Sequence, residues 1–236
     1  MKVEVWSDFV CPFCFIGKRR LEKALVQFPN QDEVEIEFKS FELDPNAPVY
    51  TEKSIYDSLA EKYGMSVDQA KQNSAQIAKQ AEQEGLAFRF DAMKPTNTFD
   101  AHRLAKYAKT QGKELELTEK LLYAYFTESK NVGDHETLAA LAEEVGIDRE
   151  EAESVLKNKD DYANEVRKDF QLARQYGITG VPFFAINDKY AISGAQPVET
   201  FVRALEKAWE EAAAKPKFET IEGSKGSVCA DGNCEV

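Results

Sequence analysis

Along the chain, apolar residues first alternate with polar ones, then recur every three to four positions over a long middle stretch, and return to alternation near the C-terminal end. Val3 and Val5 among Lys2, Glu4 and Ser7 predict a strand over 2–7 that runs into Asp8-Phe9-Val10-Cys11. From Pro12 to Phe28 the residues Phe13, Ile16, Leu21, Ala24, Leu25 and Phe28 keep helical spacing, and Pro29-Asn30 marks the stop. Val34, Ile36 and Phe38 then alternate with Glu35, Glu37 and Lys39, giving a second strand. Its phase shifts near Ser40, before Phe41 and Leu43, which predicts a bulge. Strand, helix, strand in this order is the crossover unit that builds parallel sheets.

From about Thr51 to Tyr176 the pattern is helical and punctuated by glycines. Ile55, Leu59 and Tyr63 share a face before Gly64, and Ser66 with Gln69 forms a capping box for a helix that ends at Gly85. Further helices are expected over 99–111, 114–129, 135–145 (capped by Asp134), 148–157 and 161–176, with Tyr123, Tyr125 and Phe126 packing among them. Strand character in this block is confined to 86–90. It returns over 181–186 and 190–192, joined as a hairpin through Asn187-Asp188, and a last helix covers 197–214. The prediction is one α/β domain interrupted by a large all-helical insertion. Residues 1–50 and 177–215 form the sheet-bearing domain, 51–176 the insertion, and 216–236 a glycine- and serine-containing tail expected to be flexible.

At 236 residues the chain can bury a core without help from disulfides or metals. Its 42 acidic and 30 basic side chains leave a net charge of -12, so it has no basic surplus for phosphate backbones or anionic lipid, and neither nucleic acid nor membrane is an expected partner. The first residues enter a strand pattern without the apolar core of a secretory signal, and no apolar run approaches the roughly 20 residues of a membrane span. The expected location is the cytoplasm. Four cysteines in two close pairs then point to redox or metal chemistry rather than to a stabilising scaffold.

In Cys11-Pro12-Phe13-Cys14, placed after a strand and opening a helix, both sulfurs fall on the first helical turn. Cys11, at the cap, meets unpaired N–H groups and the positive end of the helix dipole, which favour a thiolate; Cys14, one turn on, is expected to be more shielded. Cys11 is therefore the candidate nucleophile and Cys14 the resolving thiol, with Pro12 suited to the first helical position. The rival is a zinc site completed by Cys229 and Cys234, but Phe15-Ile16 continues an amphipathic helix where a zinc knuckle would turn back. Downstream, Pro182 precedes an otherwise clean strand. A cis Val181-Pro182 bond would present the Val181 backbone to a substrate near Cys11, so Val181 and Pro182, with Phe13, are the candidate substrate contacts. Asp8, three residues before Cys11, is a candidate proton relay or a solvated cap. His102 is a candidate cleft residue or else a structural or exposed one, and His135 reads as a surface residue. Cys229 and Cys234 enclose Ala230-Asp231-Gly232-Asn233, which can close a small ring, and form either a second exchangeable pair or two free thiols.

Asp8-Phe9-Val10-Cys11-Pro12-Phe13-Cys14, the helical insert, Asn97-Thr98-Phe99-Asp100-Ala101-His102-Arg103-Leu104 and Gly180-Val181-Pro182-Phe183-Phe184 together resemble the DsbA-like thioredoxin superfamily, its FrnE-type branch in particular, over residues 1 to about 212. The resemblance implies a thioredoxin-like fold with an inserted helical domain, a redox disulfide at Cys11 and Cys14 that needs no added cofactor, and a cis-proline at Pro182. It implies dithiol oxidation, disulfide reduction or isomerisation, acting on thiol- or disulfide-containing proteins with glutathione or a thioredoxin-type reductant as electron partner. Phe13 stands where many relatives carry Trp or His, so redox poise does not carry over. Kappa-class glutathione transferases and chromene-carboxylate isomerases resemble the same architecture but place Ser at the Cys11 position. A zinc-binding module without turnover is the reading from another class.

Overall fold

The computed structural model describes residues 1–214, 229–230 and 233–234. Three elements form the crossover: β1 (Lys2–Ser7), α1 (Pro12–Gln27) and β2 (Glu35–Ser40). β1 and β2 are parallel, with unbroken register from Lys2 opposite Glu35 to Ser7 opposite Ser40. The bulge expected near Ser40 is therefore not there. The phase shift marks the chain leaving the sheet, with Phe41 N still donating to Ser7 O at 3.1 Å.

Seven helices follow: α2 (Ile55–Tyr63), α3 (Val67–Gln83), α4 (Phe99–Thr110), α5 (Glu114–Phe126), α6 (His135–Glu144), α7 (Arg149–Lys157) and α8 (Ala163–Gln175). Ser66 and Gln69 make the reciprocal capping box at α3, and the Asp134 and Asp148 carboxylates accept from Thr137 N and Glu151 N at α6 and α7. Residues 86–90 are not a strand. Phe88 stacks on Phe126 and Phe15 (ring centroids 4.6 and 6.0 Å), and a short 3₁₀ turn follows at Phe90–Ala92, so ring packing rather than a ladder holds this stretch. Tyr125 and Phe126 are buried as expected, whereas Tyr123 is exposed.

β3 (Phe183–Ile186) lies antiparallel beside β1, β4 (Tyr190–Ser193) antiparallel beside β3, and α9 (Val198–Ala214) follows; the sheet order is β2-β1-β3-β4. Asn187 and Asp188 both take positive φ (50° and 53°), and Lys189 N donates to Ile186 O at 3.1 Å, so residues 187–189 make a tight three-residue connection between Ile186 and its partner Tyr190.

The sheet has two covered faces. Val3, Val5, Phe38, Phe184 and Ile186 pack against Leu21 and Ala24 of α1 and Phe201 and Leu205 of α9. On the other face Trp6 packs with Leu172, Ala173 and Ile178, and its indole N–H donates to Asp169 O at 3.3 Å, so α8 roofs this side. β2 is an edge strand whose open backbone groups are bound by helix side chains. Lys106 Nζ donates to Phe38 O at 2.8 Å, Ser40 N donates to Asp169 Oδ2 at 2.8 Å, and Lys106 and Asp169 pair at 2.6 Å. Lys18 and Arg19 of α1 each reach Glu119 of α5 at 2.5 Å. The helical segment is thus docked onto the sheet and onto the helix that starts at the cysteines.

In the tail, β5 (Cys229–Ala230) and β6 (Asn233–Cys234) pair antiparallel with Cys229 opposite Cys234. Among the described residues no helix is long and apolar enough to cross a membrane.

Candidate active site

Cys11 is the N-cap of α1 with extended backbone (φ -93°, ψ 111°), and Pro12 opens the helix. Cys11 N donates to Asp8 O at 3.1 Å and Cys14 N to Cys11 O at 3.0 Å, which tightens the approach from β1 into the helix. The first turn of α1 carries no acidic residue, so nothing on the helix itself offsets the positive end of its dipole. Both cysteines are free thiols, at 4% and 2% exposure. The expected difference in shielding is therefore slight, and the two differ by their partners instead.

The Cys11 thiol faces the Val181 carbonyl, Sγ to O 3.5 Å, and the Val181-Pro182 peptide is cis. Burial pushes the Cys14 thiol well above its ordinary value, as does the facing Cys11 sulfur, while the Ser7 hydroxyl and the Asp8 backbone pull more weakly the other way. Cys14 thus keeps its proton at neutral pH. Phe13 does not join the buried face of α1; at 37% exposure it stands open beside the pair.

Asp8 and His102 are both buried, so the solvated-cap and exposed readings do not hold. The Asp8 carboxylate accepts from Leu43 N at 2.7 Å, and its other oxygen lies 3.5 Å from His102 Nε2. His102 Nε2 is 3.1 Å from Phe41 O; a carbonyl only accepts, so this nitrogen carries the hydrogen. The imidazole also packs on Phe9, ring centroids 4.7 Å apart. Asp8 and His102 therefore tie the loop before Cys11 to α4 and to the chain leaving β2. His135 is exposed and paired with Asp100 at 2.6 Å. Cys11, Cys14, Phe13, Val181, Pro182, Asp8 and His102 all belong to this one region, whereas the side chains of Cys229 and Cys234 lie outside the described residues. Among the described residues no cluster of three or more His, Cys, Asp or Glu is arranged to hold a metal ion.

Gly17 was not singled out by the pattern. A Cβ there would lie 3.1 Å from Phe184 Cζ and 3.1 Å from Pro182 Cγ, so only glycine lets α1 approach the Pro182 segment this closely. A lone glycine within a helical pattern was the available signal. A groove of about 260 Å³, lined among others by Phe41, Glu42, Pro45, Phe170, Arg174 and Ile178, opens between the chain after β2 and α8. Burial raises the Glu42 carboxyl above its ordinary value.

With a helix-capping Cys-Pro-Phe-Cys facing a cis-proline segment, the comparison with known proteins is direct: residues 2–206 match the DSBA-like thioredoxin domain. The chain belongs to that family. Its fold is the thioredoxin-like fold of DsbA-type proteins with a large helical insertion, and the family is one of thiol-disulfide oxidoreductases. A crystal structure of a protein from Streptomyces coelicolor described as a probable DsbA oxidoreductase is 40% identical, covers 100% of this chain and 99% of its own, and superposes with a TM-score of 0.87. The uncharacterized protein YwbO of Bacillus subtilis is 33% identical over 207 residues, 86% of this chain and 94% of its own length. At the level of fold alone, the cytosolic disulfide reductase DsbM of Pseudomonas aeruginosa, solved with GSH, is similar at 15% identity, 89% and 100% coverage and a TM-score of 0.61.

Proposed function

We propose that the protein exchanges disulfides with protein or small-thiol substrates through Cys11 and Cys14, with no cofactor other than the cysteine pair. The observation that carries this reading is the Cys11 thiol at the tip of α1, open to the Val181 carbonyl on one side and backed by the proton-bearing Cys14 on the other. The Cys11 thiolate attacks a substrate disulfide, one substrate sulfur leaves with the bonding electrons, and a mixed disulfide forms. Cys14 then displaces the second substrate sulfur, so the substrate is reduced and the pair oxidised; the reverse sequence makes or reshuffles disulfides. Val181, Pro182 and Phe13 are the contacts for the substrate strand beside Cys11, and the groove at Glu42 and Ile178 takes residues flanking its cysteine. Asp8 and His102 act as positioning residues, holding the Cys11 loop between β1, α4 and Leu43. Cys229 and Cys234, whose backbones pair opposite one another, are a second exchangeable pair that passes electrons to or from the first.

Glutathione or a thioredoxin-type protein fits as electron partner, and a cytoplasmic location follows the example of DsbM, itself named cytosolic and solved with GSH. Retention of both cysteines at 11 and 14 disfavours a kappa-class-like transferase. Metal analysis of protein purified without chelator tests the zinc alternative. The deciding experiment is insulin reduction by the parent protein and Cys11→Ser, paired with a redox titration of the Cys11–Cys14 couple. Turnover by the parent and none by Cys11→Ser is expected; parent protein inert with glutathione and with thioredoxin-type donors contradicts the reading.

A further inference from the structure

Resolution of the mixed disulfide has a chemical requirement that Cys11 does not meet: Cys14, sealed from solvent, must give up its proton as its sulfur attacks. Asp8 meets the Cys14 sulfur through its backbone; its carboxylate is held at one oxygen by Leu43 N, has the other 3.5 Å from His102 Nε2, and does not line the cavity described next. The residue beside the Cys14 sulfur is Ser7, the last of β1, whose hydroxyl leans toward that sulfur yet makes no hydrogen bond of ordinary geometry with any described residue.

Ser7 also lines a cavity of about 10 Å³ between β1, β2, α4 and α5, along with His102, Lys106, Glu114 and Thr118. Thr118 is 1% exposed, and its hydroxyl likewise has no partner among the described residues. A space of this size holds one water, and two orphaned buried hydroxyls in the same wall are the partners such a water needs. Glu114 lies one turn before Thr118 on α5 and is itself 7% exposed. It has no cation within 4 Å among the described residues, and its one recorded bond is a long one from Phe38 N (3.5 Å).

We propose that Ser7, a water held in this cavity with Thr118, and the Glu114 carboxylate form the path that takes the Cys14 proton during resolution and returns it in the opposite direction. The proposal rests on the disulfide-exchange reading above and deepens it. In the step, the Cys14 S–H bond breaks as the Cys14–Cys11 S–S bond forms, and the substrate sulfur departs from Cys11 with the electron pair. The proton passes through the Ser7 hydroxyl and the water to Glu114, which becomes a carboxylic acid and later releases it. Burial lifts the Glu114 carboxyl above its ordinary value, and Glu37 of β2 acts in the same direction. Lys106 and Lys109 of α4 and the Phe38 N–H work against this. Lys39 and His102 are the remaining ionisable groups in the cavity wall. A carboxylate whose proton affinity is raised above its ordinary value is a better acceptor for a thiol proton than an ordinary one.

The test uses the whole chain with Cys229→Ser and Cys234→Ser in every variant and in the parent, so that only Cys11 and Cys14 can react, reduced and mixed in a stopped-flow instrument with excess Ellman's reagent, a small aromatic disulfide. The first coloured thiolate released reports Cys11 attack, and the second reports resolution by Cys14. Ser7→Ala, Thr118→Val and Glu114→Gln are compared with the parent between pH 6 and about pH 9, the upper end being the ordinary range of a cysteine thiol. Each variant is expected to leave the first phase within about twofold and slow the second by about a hundredfold, the lower edge of what a lost proton-transfer group costs. The second phase of Glu114→Gln should rise steadily with pH as hydroxide takes over. An intact first phase doubles as the folding control, and Thr118→Val, nearly equal in shape, covers the case in which Glu114→Gln folds poorly. A second phase unchanged in Ser7→Ala and Thr118→Val, or both phases slowed alike, overturns the relay. Parent protein that releases no first thiolate overturns the disulfide-exchange reading itself.

Discussion

Gly17→Ala adds a single methyl group one turn beyond Cys14, and two effects oppose each other there. Alanine is favoured over glycine within a helix by about 1 kcal/mol. Against that, the new Cβ would stand 3.1 Å from both Phe184 Cζ and Pro182 Cγ, closer than ordinary contact. Overpacking of this kind costs about 1–3 kcal/mol. The upper part of that range applies, because Phe184 is fully buried and Phe201 stands edge-on behind it at 4.8 Å, leaving the ring no room to retreat. The net expectation is a loss of about 1–2 kcal/mol, or a fall in melting temperature of about 2–8 °C for a chain of this size. With the Phe184 ring hemmed in, the strain falls on Pro182, so the Val181 carbonyl shifts relative to Cys11 and insulin reduction slows even where the protein is fully folded. Urea and thermal unfolding give the first quantity, and turnover at 20 °C the second. A Gly17→Ala protein as stable as the parent, or more so, with unchanged turnover, refutes the claim that this glycine sets the distance between α1 and the proline segment.

Arg103 is fully buried and donates to the carbonyls of Asp161 (2.8 Å), Val155 and Asn158 and to the Asp100 carboxylate (2.7 Å), so Arg103→Met should cost about 3–5 kcal/mol, read as a drop of about 6–20 °C in thermal unfolding. Glu37 sits among Lys109, Lys2 and Lys39, which hold its carboxyl below the ordinary 4.5 against the opposing effect of burial. A depressed folded value means that its stabilising effect is complete above about pH 4.5 and is lost as pH falls through the folded value, so Glu37→Gln should flatten the acid side of a stability-against-pH curve. Replacing both Cys229 and Cys234 by Ser should slow turnover with a protein reductant while leaving the single-turnover reaction of Cys11 intact; identical reductase, oxidase and refolding activities would dismiss the second pair.

Much of the scaffold could be read from local chemistry. The Ser66–Gln69 box, the Asp134 cap and the Asn187-Asp188 turn depend on neighbours three residues apart or fewer, and each forms as the sequence predicts. Strand-like 86–90 was misleading because alternating Leu86, Phe88 and Phe90 serve ring packing against Phe15 and Phe126, partners far away in the chain. The cysteine pair announced itself by spacing, and Val181-Pro182 by a proline in front of a clean strand downstream of that pair. Ser7, Glu114, Thr118 and Gly17 did not. A serine at a strand end and a glutamate at a helix start have ordinary local explanations, and only the docking of α4 and α5 on the edge of β2 places them around one cavity. Arg103 looks like a helix-surface residue until α7 and the link that follows it wrap three carbonyls around it.

The central claim, that Cys11 attacks and Cys14 resolves, is tested most directly by trapping. Cys14→Ser incubated with a disulfide-bonded peptide and analysed by intact-mass and peptide mass spectrometry should accumulate a mixed disulfide at Cys11, while Cys11→Ser accumulates none. Adduct on Cys14 of Cys11→Ser at a comparable rate, or no adduct on Cys11 in Cys14→Ser, would contradict the account.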